Sequence, residues 1–524
     1  MFNIPTQRLA KVTVTEVTSA VTLSVNPIVI AALSFTPRHL LVRTNVLATS
    51  GTPNFRIRLN SDSGSNYNIQ VLDAAATSAT TLRETADHFG LPTNVTSDAN
   101  EFCSGSFLFP DALSTRSHKS VLAMSGRVED FLRAGAGRWA NTAAITSVTL
   151  YLDSSTFTAG STFELCVVDE SFNIDEQILG SNGTFSVGSI AAADGDLVVI
   201  GNVRSIRTAY TIDNLALQFN SDTTTTNYSR QYLNGAGSGV SAGAASTFEI
   251  GQVATEGAGA SIFSPMLATV SNYADGSNDP AYTTMVAHHI SSSESLLQIN
   301  SARRNNVEAI TAISVLPTAA ASFLTGSMLS TYFIPSTGTN FIERQELGSA
   351  ANITFSDIPQ TYDHLELSVY ARSDVSGDVR QYGVYFNGDT TISNYERQTF
   401  YATNATVAAY QYSSPVPGII PGATSTANVF GAQTIIIQNY VLTDRHKSTL
   451  ILGGYTTRAE IQLSSGRWKN TAAITSIELI VDSPDEFEAG TIVELRGIHS
   501  TAPAAASDVA ALNSIAPADI EAVN

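Results

Sequence analysis

Eight histidines are the first candidates for acid–base or metal chemistry: His39, His88, His118, His288, His289, His364, His446 and His499. No pair of them brackets a glutamate in the His-Glu-x-x-His spacing that puts two ligands on one helix face. A nucleophile elbow of the Gly-x-Ser-x-Gly kind is not expected, nor is a phosphate-cradling Gly-x-x-x-x-Gly-Lys-Ser/Thr loop. His118-Lys119-Ser120 and His446-Lys447-Ser448 set a base beside a hydroxyl. Neighbours along a strand point to opposite faces, however, so the two cannot meet, and a solvated strand end is the expectation. Asn60, Asp62 and Asn66 cluster oxygens that a Ca²⁺ loop would use. Such a loop carries three or more acidic ligands, and this one has a single Asp; an Asx-stabilised hairpin turn accounts for it better. Nothing selects a carboxylate pair of the glycosidase type. The two cysteines, Cys103 and Cys166, lack metal-site spacing; one bridge between them is the alternative to the expected pair of reduced, buried thiols. The expectation is a chain with no catalytic, cofactor or metal residues.

Composition points the same way. Hydrophobic residues make up 43% of the 524, enough for real cores, while charged residues at 14% fall well below the usual quarter or so. Thr, Ser, Ala, Asn and Gly take the place of Lys and Glu, which suits short strands joined by turns. A net charge of −19 repels phosphate backbones and disfavours a nucleic-acid role. No basic-then-apolar leader opens the sequence, and no apolar run reaches the roughly 18–20 residues of a membrane helix. A soluble protein made in a cytoplasm is expected.

The elements that must position any site come in three copies. Gly137-Arg138-Trp139-Ala140-Asn141-Thr142-Ala143-Ala144-Ile145-Thr146-Ser147 returns as Gly466-Arg467-Trp468-Lys469-Asn470-Thr471-Ala472-Ala473-Ile474-Thr475-Ser476. A weaker copy lies midway, with Arg303, Arg304, Asn306 and Ile310 in register. Ile145, Ile310 and Ile474 are 165 and 164 residues apart (310 − 145 and 474 − 310), about one domain length. Phe157/Gly160, Phe323/Gly326 and Phe487/Gly490 keep the phase. An earlier marker, Asn60-x-Asp62 with Asn66-Tyr67, recurs at Asn220/Asp222/Asn227-Tyr228 and at Asn387/Asp389/Asn394-Tyr395. His39-Leu40 and His364-Leu365 join the first and third copies only. The division follows: repeat 1 over 1–175, a divergent repeat 2 over 176–336, repeat 3 over 337–502, and an Ala-rich tail over 503–524.

Periodicity within a copy is two rather than 3.6, as in Ile477, Leu479 and Val481 and in Val148, Leu150 and Leu152. One short helical turn is allowed over Val128 to Ala134. The fold class is therefore all-β: three tandem antiparallel β-sandwiches, jelly-roll-like. The Arg-x-x-Asn-x-x-Ala-Ile-Thr element has a structural reading in this frame. Its Asn (Asn141, Asn306, Asn470) bonds backbone in the turn before a strand, its Arg (Arg138, Arg303, Arg467) pairs nearby, and Trp139 and Trp468 cover the sandwich edge. The alternative is a ligand site built on Arg and Trp.

The string Arg-Trp-x-Asn-Thr-Ala-Ala-Ile-Thr-Ser, followed by Phe-x-Ala-Gly and the closing Glu494-Leu495-Arg496-Gly497-Ile498, resembles a recurrent domain of tailed-phage virion proteins. The resemblance implies a non-enzymatic structural part on the outside of a bacteriophage particle: a capsid decoration, head fibre or tail appendage. Its partners would be capsid or tail neighbours, with localisation in the virion, no cofactor, no nucleic acid and no membrane. A fibre or adsorption protein that binds a host receptor, glycan or protein, is the alternative. Bland loops such as Asn234–Gly239 speak against it, because sugar-binding tips expose aromatics. Sandwiches this rich in Ala, Ser and Thr leave apolar surface that association would cover, so a homo-oligomer, a trimer, is expected.

Overall fold

The computed structural model describes residues 4–498 except 93, 128–130, 292, 416, 458–459 and 482–483. The Ala-rich tail and His499 lie outside the described residues. The chain folds as three tandem antiparallel β-sandwiches. In repeat 3 the larger sheet runs Phe341–Glu346, Ile492–Ile498, His364–Ala371, Gly431–Gln438, Lys447–Tyr455, Glu460–Trp468, Tyr395–Thr403, Thr406–Tyr412. The smaller runs Ile353–Phe355, Ile477–Val481, Val379–Phe386, Pro417–Pro421. Set aside the hairpins Tyr395–Thr403/Thr406–Tyr412 and Lys447–Tyr455/Glu460–Trp468, and the remaining strands form two four-stranded sheets in jelly-roll order, with Val379–Phe386 and Pro417–Pro421 following one another in the smaller sheet. The two hairpins widen one of those sheets to eight strands. Repeats 1 and 2 have the same order in their eight-stranded sheets. The smaller sheet of repeat 1 has three strands, and a bridge between Ile57 and Phe89 stands where the fourth would be.

Burial follows the sequence pattern and explains the assembly. Strands of the smaller sheets, Ile313–Pro317 and Ile477–Val481, alternate buried and half-buried residues, one face to the sandwich core and one toward solvent. Strands of the larger sheets, such as Lys447–Tyr455 and Glu460–Trp468, are buried at every residue. Their inner faces supply the sandwich cores, with Ile451 and Trp468 in repeat 3. Their outer faces are apolar too, and those of all three repeats form one further core. Leu72, Leu233 and Phe400, each two residues beyond an equivalent glutamine, meet there with Leu122, Leu297 and Leu463. Each Leu or Phe buried this way stabilises the assembly by about 1.5–3 kcal/mol. The result is a pseudo-threefold body in a single chain. The apolar outer faces of the three larger sheets cover one another within the chain.

Two expectations need correction. The first junction falls before residue 173 rather than at 175, because Asn173–Ile178 already pairs with Met328–Pro335 in the second sheet. The turn of helix allowed over Val128 to Ala134 is not found from Phe131 onward: Phe131–Trp139 is a strand held on both sides, and 128–130 lie outside the described residues. A short helix forms instead at Pro27–Ala31, where Asn26 caps the Ile28 amide and a proline opens the first turn.

Candidate functional site

The two sequence markers meet in space. In repeat 1 the Asn60 side chain accepts from the amides of Thr146 and Ser147 at 2.8 and 3.1 Å and donates to the Ala144 carbonyl at 2.8 Å. Asn220 and Asn387 make the same bonds to Thr311, Ala312 and Ala309, and to Thr475, Ser476 and Ala473. All three have φ near +50°, a left-handed conformation that Asn tolerates better than most residues. Asp62 accepts from Trp139 Nε1 at 2.6 Å, and Asp389 from Trp468 Nε1 at 2.8 Å. In repeat 2, where Trp is absent, Arg304 Nε donates to Asp222 at 3.3 Å from the same position. The frame survives the substitution because the Asp keeps a donor. Desolvation alone would raise the Asp62 carboxyl; the bonds from Trp139, Asn66 and the Gly64 amide outweigh it and hold the group below its ordinary value. Asp222 and Asp389 are held low in the same way. These bonds engage the Asn60 side-chain oxygen and both Asp62 carboxylate oxygens.

Ile145, Ile310 and Ile474 are each fully buried, and their amides donate to the carbonyls of Ala112, Tyr273 and Tyr440. Asn141 and Asn470 close Asx turns, accepting from the amides of Ala143 and Ala472 at 2.9 Å. At Asn306 the backbone carbonyl closes the turn, accepting from Glu308 N at 2.9 Å. Trp139 and Trp468 are buried rather than laid over an edge. Phe157, Phe323 and Phe487 bridge two segments each, and Gly160, Gly326 and Gly490 beyond them have φ of +91°, +88° and +85°, which needs glycine.

Other equivalent residues join the repeats in a cycle. Gln70 donates to the Gly237 carbonyl of repeat 2 at 3.1 Å, Gln231 to the Asn404 carbonyl of repeat 3 at 2.9 Å, and Gln398 to the Ala76 carbonyl of repeat 1 at 2.8 Å. Each glutamine is fully buried, and each acceptor sits at a hairpin tip with positive φ. The bland loop Asn234–Gly239 is such a tip, and a Cβ on Gly235 would collide with Leu72 of repeat 1 at 2.9 Å. His39 and His364 form a second ring. Each accepts at Nδ1 from the amide of a left-handed residue, Asp111 or Asn439, at 3.0 Å, which leaves the Nε2 proton facing the next repeat. That nitrogen meets Ser330 of repeat 2 at 3.3 Å from His39, and Glu164 of repeat 1 at 3.0 Å from His364. Asp196 holds the place in repeat 2, accepting from the Asn272 amide at 3.1 Å and from Arg496 of repeat 3 at 3.4 Å.

The arginines serve both purposes. Arg303 pairs with Asp279 at 2.6 Å within its repeat. Arg138 meets His118 at 2.9 Å and also the Ile290 carbonyl of repeat 2 at 3.4 Å. Arg467 pairs with Glu396 in its own repeat and with Glu101 in repeat 1.

Lys119 and Lys447 are buried, not at solvated strand ends. Their ammonium groups cap carbonyls, Ser117 and Thr142 for Lys119, and Leu442, Arg445 and Thr471 for Lys447. Desolvation pulls both down to about 8. Gly239-Val240-Ser241-Ala242-Gly243 has the spacing of a nucleophile elbow, against expectation. It lies inside the strand Gly239–Ala245, with no turn into a helix to present the serine. Cys103 and Cys166 are free, buried thiols on separate strands. Among the described residues no group of three His, Cys, Asp or Glu could hold a metal ion. The glutamine ring had a sequence signal that was missed: Gln follows the Asn-Tyr marker by three residues in every copy, at Gln70, Gln231 and Gln398.

No protein-family model matches the chain, and no curated protein matches it. Two solved structures are similar only remotely. Domains LG4-5 of the mouse laminin alpha1 chain align at 9% identity over 65% of this chain and 96% of theirs, with a TM-score of 0.15. The binding domain of botulinum neurotoxin serotype C1 aligns at 7% identity over 59% and 94%, with a TM-score of 0.10.

Proposed function

We propose that this chain is a non-enzymatic structural protein on the outside of a bacteriophage particle, where it binds capsid or tail neighbours. One observation carries the reading: equivalent residues of all three repeats are committed to holding the body together. The Gln70/Gln231/Gln398 cycle, the His39/Asp196/His364 cycle and the Asn–Asp–Trp lock take up His39, His364 and the Asn-x-Asp groups that looked chemical. The resemblance of the Arg-Trp-x-Asn-Thr-Ala-Ala-Ile-Thr-Ser string to tailed-phage virion domains supplies the setting. With its outer sheet faces already joined, one chain suits a threefold or quasi-threefold position without first assembling with copies of itself. Negative-stain imaging of purified particles with a gold-labelled antibody to the chain tests this: label at a fixed position is expected, and particles without the protein overturn it. A second reading, adsorption to a host glycan, is favoured by one feature of repeat 3 alone.

A further inference from the structure

Repeat 3 carries a groove of about 480 Å³ on the face of its larger sheet that is turned away from the central core. Tyr401, Tyr410 and Tyr412 line one wall; Arg397, Glu460 and Gln462 lie beside them. The alternation of the strands sets this arrangement. Phe400, Ala402 and Ala409 point into the core shared by the repeats, so Tyr401, Tyr410 and Tyr412, each an odd number of residues away on the same strands, point out. The rings form a row: Tyr401 and Tyr410 stack at 5.2 Å with planes 20° apart, and Tyr410 and Tyr412 at 5.9 Å and 28°. The hydroxyls of Tyr401 and Tyr410 are 3.1 Å apart, and the Arg397 guanidinium lies 5.0 Å from the Tyr412 ring centre. Tyr412 is 50% exposed.

The row belongs to this copy only. By strand register the positions of Tyr401, Tyr410 and Tyr412 are held by Asp73, Leu82 and Glu84 in repeat 1 and by Asn234, Gly243 and Ala245 in repeat 2. In repeat 1 the following segment folds back over this face, where Arg133 binds Asp73 and the carbonyls of Gly90 and Pro92. Packing of the pseudo-threefold body therefore does not require a tyrosine row, since two of its three members lack one.

We infer that this groove binds an oligosaccharide. A sugar ring is apolar across its C–H faces and ringed by hydroxyls. The groove offers the ring edges and phenol tips of the stacked row, the exposed Tyr412 ring at its end, and Arg397 and Glu460 to bond hydroxyls. A chain of net charge −19 is a poor match for nucleic acid, the other ligand that stacks on aromatic rows. The inference deepens the adsorption reading and is independent of the structural one.

The test uses the full chain on an immobilised panel of gluco-, galacto- and N-acetylhexosamine oligosaccharides. Wild type should be retained on at least one of them. Tyr410→Ala and Tyr412→Ala should each weaken retention by about tenfold or more, the loss expected of a central aromatic contact. Leu82→Ala, at the equivalent position of repeat 1, should leave retention unchanged, and melting temperatures should show all three variants folded. No retention on any member overturns the inference, as does equal retention by wild type and both tyrosine variants. Adsorption to whole bacterial cells that both tyrosine variants keep, without glycan retention, removes the groove and leaves adsorption through a protein receptor standing.

Discussion

Gln70→Leu should destabilise the whole body, not repeat 1 alone. The Gln70 amide bonds the Gly237 turn twice, donating to its carbonyl at 3.1 Å and accepting from its amide at 3.0 Å, and also accepts from Ser295 at 2.7 Å. Leucine has nearly the same volume and makes none of these bonds. Three groups of repeat 2 lose a partner: two at a half-buried turn and one buried hydroxyl. At about 1 kcal/mol each, the low end for groups left unpaired because water reaches the turn, the loss is roughly 3 kcal/mol. Urea unfolding followed by fluorescence can locate it, since Trp139 reports repeat 1 and Trp468 repeat 3, and no other tryptophan is present. In Trp139→Phe and Trp468→Phe backgrounds, Gln70→Leu should shift both midpoints together by an amount on the order of 1 M. The shared outer-face core requires this coupling, because repeat 1 cannot open without exposing the leucines that repeats 2 and 3 bury against it. A shift in the Trp139 reporter with the Trp468 reporter unmoved would refute the single cooperative body. No shift in either would refute the role of the ring.

Ile474→Ala should cost about 2–5 kcal/mol by leaving a cavity, while Asn470→Ala should cost only about 1 kcal/mol, because its turn is solvent-exposed; equal losses on denaturant unfolding would contradict this placement. Burial pulls His39 down to about 3 and His118, His288 and His446 to about 4, while the unfolded chain holds them near 6.5. Between those values the unfolded chain binds more protons, so their contribution is fully present above pH 6.5 and is lost as pH falls toward 4. Glu170, raised by burial to about 7, opposes this, as do Asp111, Asp279, Glu366 and Glu494, which burial raises from lower ordinary values; His289, held by burial well below its ordinary value, adds to the loss. The melting temperature should therefore fall steadily from pH 6.5 to pH 4, and a flat profile would refute it. Light scattering of the isolated chain should return one 55.4 kDa copy, and a stable trimer at micromolar concentration would show that other surfaces drive association.

Much of the local structure is legible in the sequence. Strand runs of period two, the Asn-x-Asp turns and the three-copy phasing of Ile145, Ile310 and Ile474 depend on residues near one another in the chain, where side-chain alternation and turn chemistry act directly. The equivalence of Trp139 and Arg304 is harder to read. What the two share is one N–H aimed at an Asp about 80 residues earlier, a distance that only folding closes. The buried state of Lys119 and Lys447 is likewise hidden, since three residues on a strand do not reveal which carbonyls will surround an ammonium group.

The sequence by itself determined the unit: an all-β fold, its strands, its turns and the number of its copies, because those rest on local pattern and internal repetition. Only the tertiary structure decided how the copies associate. A strand with apolar residues on both faces needs two partners, and the sequence does not say whether the second is another chain or the next repeat. Here it is the next repeat. Glutamines that would read as surface residues become buried joints, a bland hairpin tip becomes the place where two repeats meet, and three tyrosines from two strands become one row. Each of these results depends on which faces are turned inward, and that is fixed by burying the apolar surface of all three repeats in one body.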